Sequence, residues 1–540
     1  MDIGIFHGYN LTGSGSNEYT RYLARTFLHQ GHTVHVICRE YQPERIDFIG
    51  QLWCWKDDGS YEIDLVNPKL EESSIVHQIP YGEFYPVYIT GKKSSKVFKE
   101  FIDLTDDELN SFCALNQLLL RRIFSHIKLD VLHANHLVMQ PSLALEPCRE
   151  HDIPLVIYPH GSAIEYAVKR DSRYMVEARR AVEQCDGLII GNQEVKNRII
   201  GLFPDFQSVI EAKTQIVGVG VDTGLFTPLK KSQRKKAVQT FIDTQIPDTG
   251  EGKSPELLEK LHVALDKSDY QSIMTNSDSY VQNNLDVDIK DKLAALDFSQ
   301  PIILFVGALT GGKGLQSMIT ALPVIFKEYP GTQLVVIGAG DFRERLESFI
   351  YALSTRKVEI VEYLSQKQNT GEQGQPDSLW EDVLYYLDKL EDPDEYFSNT
   401  GQLLEQVIFL GRVNHQQLSY LFPCADLAVF PSVIPEAYPL VLMESLANGV
   451  LPVVSYFSGF KDGVDELEQY LNKSLINHLK IPMDKETRIA TLAENIIELF
   501  SIVKAKDYSG ELSVIAQTSY DWSHRAKQMV EAYQKVICNR

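Results

Sequence analysis

A chain of 540 residues is longer than one hydrophobic core organises, so two domains with added segments are expected. The formal charge of −21 excludes nucleic acid as a ready partner, because that binding needs Lys and Arg to displace counterions from phosphates, and it disfavours broad adhesion to anionic lipid. Seven cysteines scattered without a C-x-x-C pair argue against both a disulfide framework and a zinc site, and point to a reducing compartment.

The opening Met-Asp-Ile-Gly-Ile-Phe-His lacks a basic start followed by an apolar stretch, and no apolar run reaches the roughly 18 residues of a membrane span. A cytoplasmic chain without an anchor is expected. The cluster Lys230, Lys231, Arg234, Lys235 and Lys236 leaves room for peripheral contact with lipid headgroups at most.

Along the chain, residues 3–6 read as a strand, followed by a loop through Gly13 and Gly15, a helix over 18–30 stopped by Gly31, and a strand over 33–38. Apolar strands recur at 131–132, 155–158, 187–190 and 215–217, with segments between them long enough for crossover helices. Such alternation predicts a parallel sheet covered on both faces. A second series begins at Pro301, with strands at 302–306, 333–337, 407–410, 427–430 and 451–454, and predicts a second doubly wound domain. Between the series, residues 230–300 turn polar and acidic and read as an insertion or linker, helical near 256–266 and loosely ordered elsewhere. A second insertion covers 354–404 and contains Gly371-Glu-Gln-Gly-Gln-Pro376. The expected division is 1–229, the polar segment 230–300, a second domain over 301–515, and a terminal helix over 516–540.

The strongest motif runs from Pro431 to Val454. It places Glu436 just beyond a strand, opens a helix at Pro439, and puts Glu444 one to two turns inside it. Proline suits the first helical position because its missing N–H would be unpaired there. A helix start offers free N–H groups and a positive dipole end to an anion such as a diphosphate, and two adjacent carboxylates can accept hydrogen bonds from sugar and ribose hydroxyls.

These residues resemble the retaining glycosyltransferases of the GT-B fold, specifically family 4, whose hallmark is two Glu separated by seven residues ahead of a Gly-Pro-Val-Val segment. Here the match is Glu436, Glu444 and Leu451-Pro452-Val453-Val454, with Gly449 ending the helix. The resemblance implies two Rossmann-like α/β domains facing a central cleft. It assigns the donor sugar to Glu436, phosphate to the backbone at Leu440 and Val441, and the ribose to Glu444. Phe305 to Gly314 resembles the family's phosphate loop: Gly307 and Lys313 match, and Ala308 replaces an Arg. Phe409-Leu410-Gly411-Arg412-Val413 resembles the segment that pairs with the donor base through its backbone, at Val413. The Gly13/Gly15 loop resembles the mobile loop of the first domain, and His160-Gly161 resembles its sugar-side His. Tyr520-Asp521-Trp522 resembles the start of the terminal helix that returns to the first domain.

The implied function is retaining transfer of a hexosyl group from a nucleoside-diphosphate sugar to an acceptor hydroxyl, with Glu436, Lys313 and His160 as catalytic residues. No cofactor or metal is expected. The acceptor is left open as a carbohydrate, a lipid-linked species or a small molecule. A catalytically silent nucleotide-sugar-binding protein and a GT-B phosphorylase remain as alternatives, the first motivated by Ala308.

Other motifs fall away on inspection. Gly307-x-x-x-x-Gly312-Lys313 nearly spells a P-loop, yet Gly314 stands where Ser or Thr must hold magnesium. Gly13-x-Gly15 and Gly338-x-Gly340 are completed by Glu18 and Arg343, not glycine, which argues against a dinucleotide site. Asp286-Val-Asp288 is a candidate D-x-D metal motif, but its polar surroundings predict a solvated pair, and the segment 237–297 is expected to be peripheral to the chemistry. His133 and His136 read equally as structural or cleft-lining, and Trp53-Cys54-Trp55 as local packing.

Overall fold

The computed structural model describes residues 1–88, 98–247, 251–271, 273, 279–281, 284–366 and 377–540. Two compact units emerge: Met1–Gly220 with Tyr520–Arg540, and Val221–Ser519.

The first unit is built on a parallel sheet whose central strands are almost wholly buried. Its strands are β1 (Asp2–Phe6), β2 (Thr33–Cys38), β3 (Gln51–Trp55), β4 (Tyr61–Leu65), β5 (Ser74–Gln78), β8 (Val131–Asn135), β9 (Leu155–Tyr158), β10 (Gly187–Ile190) and β11 (Thr214–Ile216), while β6 (Tyr85–Val87) and β7 (Phe98–Glu100) pair separately. The nine-stranded order is β11-β10-β9-β8-β1-β2-β5-β3-β4, and only β3–β4 is antiparallel. The strand order therefore reverses between β1 and β8, the place where an open α/β sheet leaves a crevice at its carboxyl edge.

The helix after β1 spans Gly15–His29 and starts a turn before the sequence-based boundary, because Ser14 caps it by accepting from the Asn17 N–H. The chain beyond β2 supplies β3 to β7 and the helix Asp106–His126, which Thr105 and Glu108 close with a reciprocal capping box. Trp53 and Trp55 lie on β3 and pack against Tyr61 of β4, with ring centroids 4.9 and 4.6 Å away. The terminal helix Trp522–Asn539 belongs to this unit: Trp522 stacks on Tyr22, and the Tyr533 hydroxyl lies 2.7 Å from His133 Nδ1.

The second unit carries an all-parallel six-stranded sheet, ordered β14-β13-β12-β15-β16-β17. Its strands are β12 (Ile302–Val306), β13 (Gln333–Ile337), β14 (Val407–Gly411), β15 (Leu427–Phe430), β16 (Leu451–Ser455) and β17 (Lys480–Ile481). Here the order reverses between β12 and β15.

The polar segment 230–300 is not a loose linker. Its described residues are built into the second unit. Arg234, on the helix Lys231–Gln245, is buried and donates to Asp426 Oδ1 and the Ala425 carbonyl. Lys253, only 2 % exposed, forms ion pairs with Glu344 and Glu347 on the helix Arg343–Thr355. Asp286 is fully buried, where solvent had been expected: Arg343 grips it with two hydrogen bonds of 2.6 and 2.7 Å, and Lys292 adds a third of 2.7 Å. Burial alone would raise its pKa, yet these cations hold the carboxyl below its usual range. Composition had suggested solvation, but each of these charges meets its counter-charge on a distant element, which is the condition for burying it.

The second insertion also packs. Trp380 is fully buried, and Asp382 is buried on the helix Glu381–Asp388. Gly371-Glu-Gln-Gly-Gln-Pro376 lies outside the described residues.

Candidate functional site

In the second unit the strand reversal brings two loops together. One leaves β12 through Gly307 and turns at Gly311–Lys313; the other leaves β15 through Pro431 and reaches Glu436. Their approach is close enough to require glycine. Gly314 adopts φ +72°, and a Cβ there would lie 1.8 Å from the Pro431 carbonyl oxygen; one at Gly312 would lie 2.6 Å from Ile434. The Val433 N–H donates to the Gly312 carbonyl at 2.8 Å and stitches the loops together.

This junction pairs Lys313 with Glu436. Lys313 Nζ lies 2.5 Å from Glu436 Oε1, and Ser432 Oγ stands 3.1 Å from the same oxygen. Both charged side chains keep part of their surface in solvent, 31 % and 19 % exposed. The backbone beneath is fixed: the Glu436 carbonyl accepts from the Gly459 N–H at 2.9 Å and from Ser458 Oγ at 2.8 Å.

The following helix spans Leu440–Ala447, one residue later than expected. Pro439 has φ −80° and ψ 107°, so it is the last extended residue, not the first helical one. Leu440 and Val441 are then the first two helical residues, whose N–H groups have no acceptor inside the helix. Gly449 ends the helix at φ +71°. Glu444 faces inward and is 4 % exposed, and its Oε1 lies 3.4 Å from His415 Nε2. His415 escaped sequence reasoning. It opens the short helix His415–Leu421 just after Arg412 and Val413, and so connects the segment Phe409–Val413 to the Glu444 helix. That segment has a second support: Leu285, from the polar insertion, bridges antiparallel to Gly411, and the Arg412 N–H donates to the Asn284 carbonyl. Ala308 is exposed beside Gly307.

In the first unit the reversal point carries a buried polar network centred on Asn135, at the carboxyl end of β8. Its amide Nδ2 lies 2.8 Å from Thr20 Oγ1 and 3.1 Å from His7 Nδ1, and its Oδ1 lies 3.2 Å from His133 Nε2 and 3.1 Å from His160 Nε2. Because the amide nitrogen can only donate and the amide oxygen only accept, the network assigns the tautomers: His133 and His160 carry their proton on Nε2, and His7 accepts at Nδ1 and donates from Nε2 to Asn17 Oδ1. His160 Nδ1 is thereby an acceptor. Burial, reinforced by His7 and His133, holds the His160 pKa well below its ordinary value. His136 is buried at φ +69°, and its ring centroid is 4.8 Å from that of His160. Gly15 begins the helix behind this network, following Gly13 at φ +109°.

The sequence-assigned residues thus form two groups: Lys313, Glu436, Gly307, Leu440, Val441, Glu444 and Val413 around the second reversal point, and His160 and Gly15 in the first unit. Two family signatures cover the group around the second reversal point and His160, but not Gly15. The Glycosyl transferases group 1 signature matches residues 288–370 and 392–501, and the Glycosyltransferase Family 4 signature matches 97–225. The chain belongs to the group 1 glycosyltransferases, family 4 type, with the GT-B fold.

Among relatives of this glycosyltransferase family, a glycosyltransferase of Methanocaldococcus jannaschii is 25 % identical over 235 residues, 44 % of this chain and 45 % of that protein. The phosphatidyl-myo-inositol mannosyltransferase of Mycobacterium tuberculosis is 22 % identical over 261 residues, 47 % of this chain and 53 % of its own length. The matches therefore span about half the length of these curated relatives. Solved structures share the fold. A sucrose-phosphate synthase from Thermosynechococcus elongatus superposes over the whole of both chains with a TM-score of 0.57 and 14 % identity. The Anabaena protein HepE, in complex with UDP and glucose, covers 99 % of both chains with a TM-score of 0.53 and 13 % identity. Among the described residues, no helix is long and apolar enough to cross a membrane.

Proposed function

We propose that this chain is a retaining, metal-independent glycosyltransferase that moves a hexosyl group from a nucleoside-diphosphate sugar to an acceptor hydroxyl. The observation that carries the reading is the Lys313–Glu436 pair at the strand reversal of the second unit, in the loop that runs on into the Leu440–Ala447 helix. Family membership supports glycosyl transfer, and the structural neighbour in complex with UDP and glucose supports a nucleotide-sugar donor.

In this reading the donor parts the ion pair. Lys313 turns to the diphosphate, together with the N–H groups of Leu440 and Val441, and stabilises the negative charge that grows there as the anomeric carbon becomes cation-like. Glu436, released from Lys313, accepts hydrogen bonds from sugar hydroxyls. Gly307 lets the backbone approach the phosphates, Val413 pairs with the base, and Glu444, held by His415, takes the ribose. His160, neutral and with Nδ1 as acceptor, is assigned a sugar hydroxyl, and the Gly15 loop the acceptor side, both on the family pattern. The charge-stabilising groups named are all supplied by the protein, which is the basis for expecting no metal. Ala308 removes one cation from the family arrangement and favours a silent, nucleotide-sugar-binding protein as the second reading.

The test is a panel of nucleoside-diphosphate sugars assayed for sugar transfer in the presence of EDTA, with Lys313→Ala as the comparison. Turnover should survive chelation, and Lys313→Ala should lose on the order of 10²–10³ in rate, the usual cost of one charge-stabilising group. Activity abolished by EDTA and restored by manganese would refute the phosphate site. Donor binding without transfer would select the silent reading, and turnover only with inorganic phosphate would identify a phosphorylase.

A further inference from the structure

We propose that Arg488 and Asp382, a buried ion pair that the sequence analysis did not single out, form a positioning device that holds the Lys313 and Glu436 loops in register. The proposal rests on the donor-site reading above.

Arg488 lies at the start of the helix Arg488–Ala505 and is 1 % exposed, so its charge needs full compensation inside the protein. The guanidinium divides its donors between the loop that leads to Glu436 and the ends of β16 and β17. One terminal nitrogen donates to the Pro431 carbonyl at 2.5 Å and to Ser455 Oγ at 2.9 Å, and lies 3.3 Å from the Ser432 carbonyl. The other donates to the Pro482 carbonyl at 3.0 Å. The Pro431 carbonyl is the same group against which Gly314 is packed, so one oxygen is held between Arg488 and the turn that carries Lys313. Ser432, the next residue, lies within 3.0 Å of the Gly312 carbonyl and 3.1 Å of Glu436 Oε1 through its hydroxyl.

Asp382 completes the device. Its Oδ2 lies 3.1 Å from Arg488 Nε and accepts from Ser317 Oγ at 2.6 Å, and Ser317 stands in the first turn of the helix Leu315–Glu328, directly after the Lys313 turn. The carboxylate thus ties Arg488 to the Lys313 side, while the guanidinium ties it to the Glu436 side. Asp382 belongs to the second insertion, and the group 1 signature breaks between residues 370 and 392, across this residue. The insertion therefore supplies part of the support for the donor loops. Neither residue touches the reacting atoms in this arrangement; both act through Pro431, Ser432 and Ser317.

The test separates positioning from simple stability. Binding of the pairs UMP and UDP, GMP and GDP, and AMP and ADP is measured by calorimetry, because the preference for the diphosphate reads the Lys313 site independently of the base. Arg488→Met and Asp382→Asn should lower that preference on the order of 10–100-fold, as displaced loops misplace their ligating groups by about an ångström; Arg488→Lys, which keeps the charge and loses the fork, should fall between. The double variant Asp382→Leu/Arg488→Met replaces the buried pair by apolar side chains and should recover thermal stability, as such replacements often do, without recovering the diphosphate preference. If the double variant regains both, or if folded Arg488→Met keeps the wild-type preference, the positioning role is overturned. A wild-type chain that prefers no diphosphate over its monophosphate overturns the donor reading itself, a separate failure.

Discussion

Acidification should unfold the first unit selectively, because several imidazoles buried there are held uncharged. Burial lowers His7, His35 and His133 each to about 4, with Asn17, Asp2 and Asn135 respectively providing only partial opposition. His77, His136 and His160 are displaced in the same direction. A base whose pKa is depressed by folding binds fewer protons in the native state than in the unfolded chain. Stability is therefore complete above pH ~6.5, the unfolded value, and falls as the pH drops toward ~4. At pH 5 an imidazole shifted from 6.5 to about 4 forfeits roughly 2 kcal/mol, and the three together about 6 kcal/mol, comparable to the whole stability of a typical domain. Three of the four tryptophans, Trp53, Trp55 and Trp522, lie in this unit, so urea denaturation followed by tryptophan fluorescence at pH 7.5 and 5.0 reports it. A midpoint that collapses at pH 5.0 is expected, and His35→Gln should recover about one imidazole's share, ~2 kcal/mol, of the pH-dependent loss. Equal midpoints at the two pH values, with equal denaturant slopes, would refute the assignment of these histidines as buried and neutral.

Glu444→Gln should weaken donor binding by about tenfold while leaving the fold intact, since an amide gives up the charge-assisted acceptance proposed for the ribose; unchanged affinity by calorimetry would remove Glu444 from the site. Asp286→Asn leaves the buried Arg343 with Glu347 as its remaining counter-charge and should destabilise the second unit by about 3 kcal/mol, read as a lower thermal midpoint. An unaltered midpoint would mean that the polar segment is peripheral after all.

Much of the candidate site was legible because its signals are local. Glycines at fixed offsets, a strand followed by a helix start, and two Glu separated by seven residues are written within a few dozen positions, and the structure places Lys313 and Glu436 side by side. His415, Arg488 and Asp382 carried no such signal. Each is an ordinary polar residue near a helix start, and its importance comes from neighbours far along the chain. The polar segment 230–300 was misjudged for the same reason. Its composition does describe a solvated linker, unless its charges have partners, and Lys253 and Asp286 find theirs near residue 344, some 91 and 57 positions away.

What the sequence by itself determined was therefore the alternation of strands and helices, and the motif-bearing loops at Lys313 and Glu436. Side-chain periodicity and backbone sterics act over a few residues and need no knowledge of the rest of the chain. The tertiary structure alone decided which charges could be buried, which tautomers His7, His133 and His160 adopt around Asn135, and how Pro431 is held between Gly314 and Arg488. Those outcomes depend on desolvation and on hydrogen-bond partners brought together from distant positions, and a buried charge or ring nitrogen is stable only once its partner is in place.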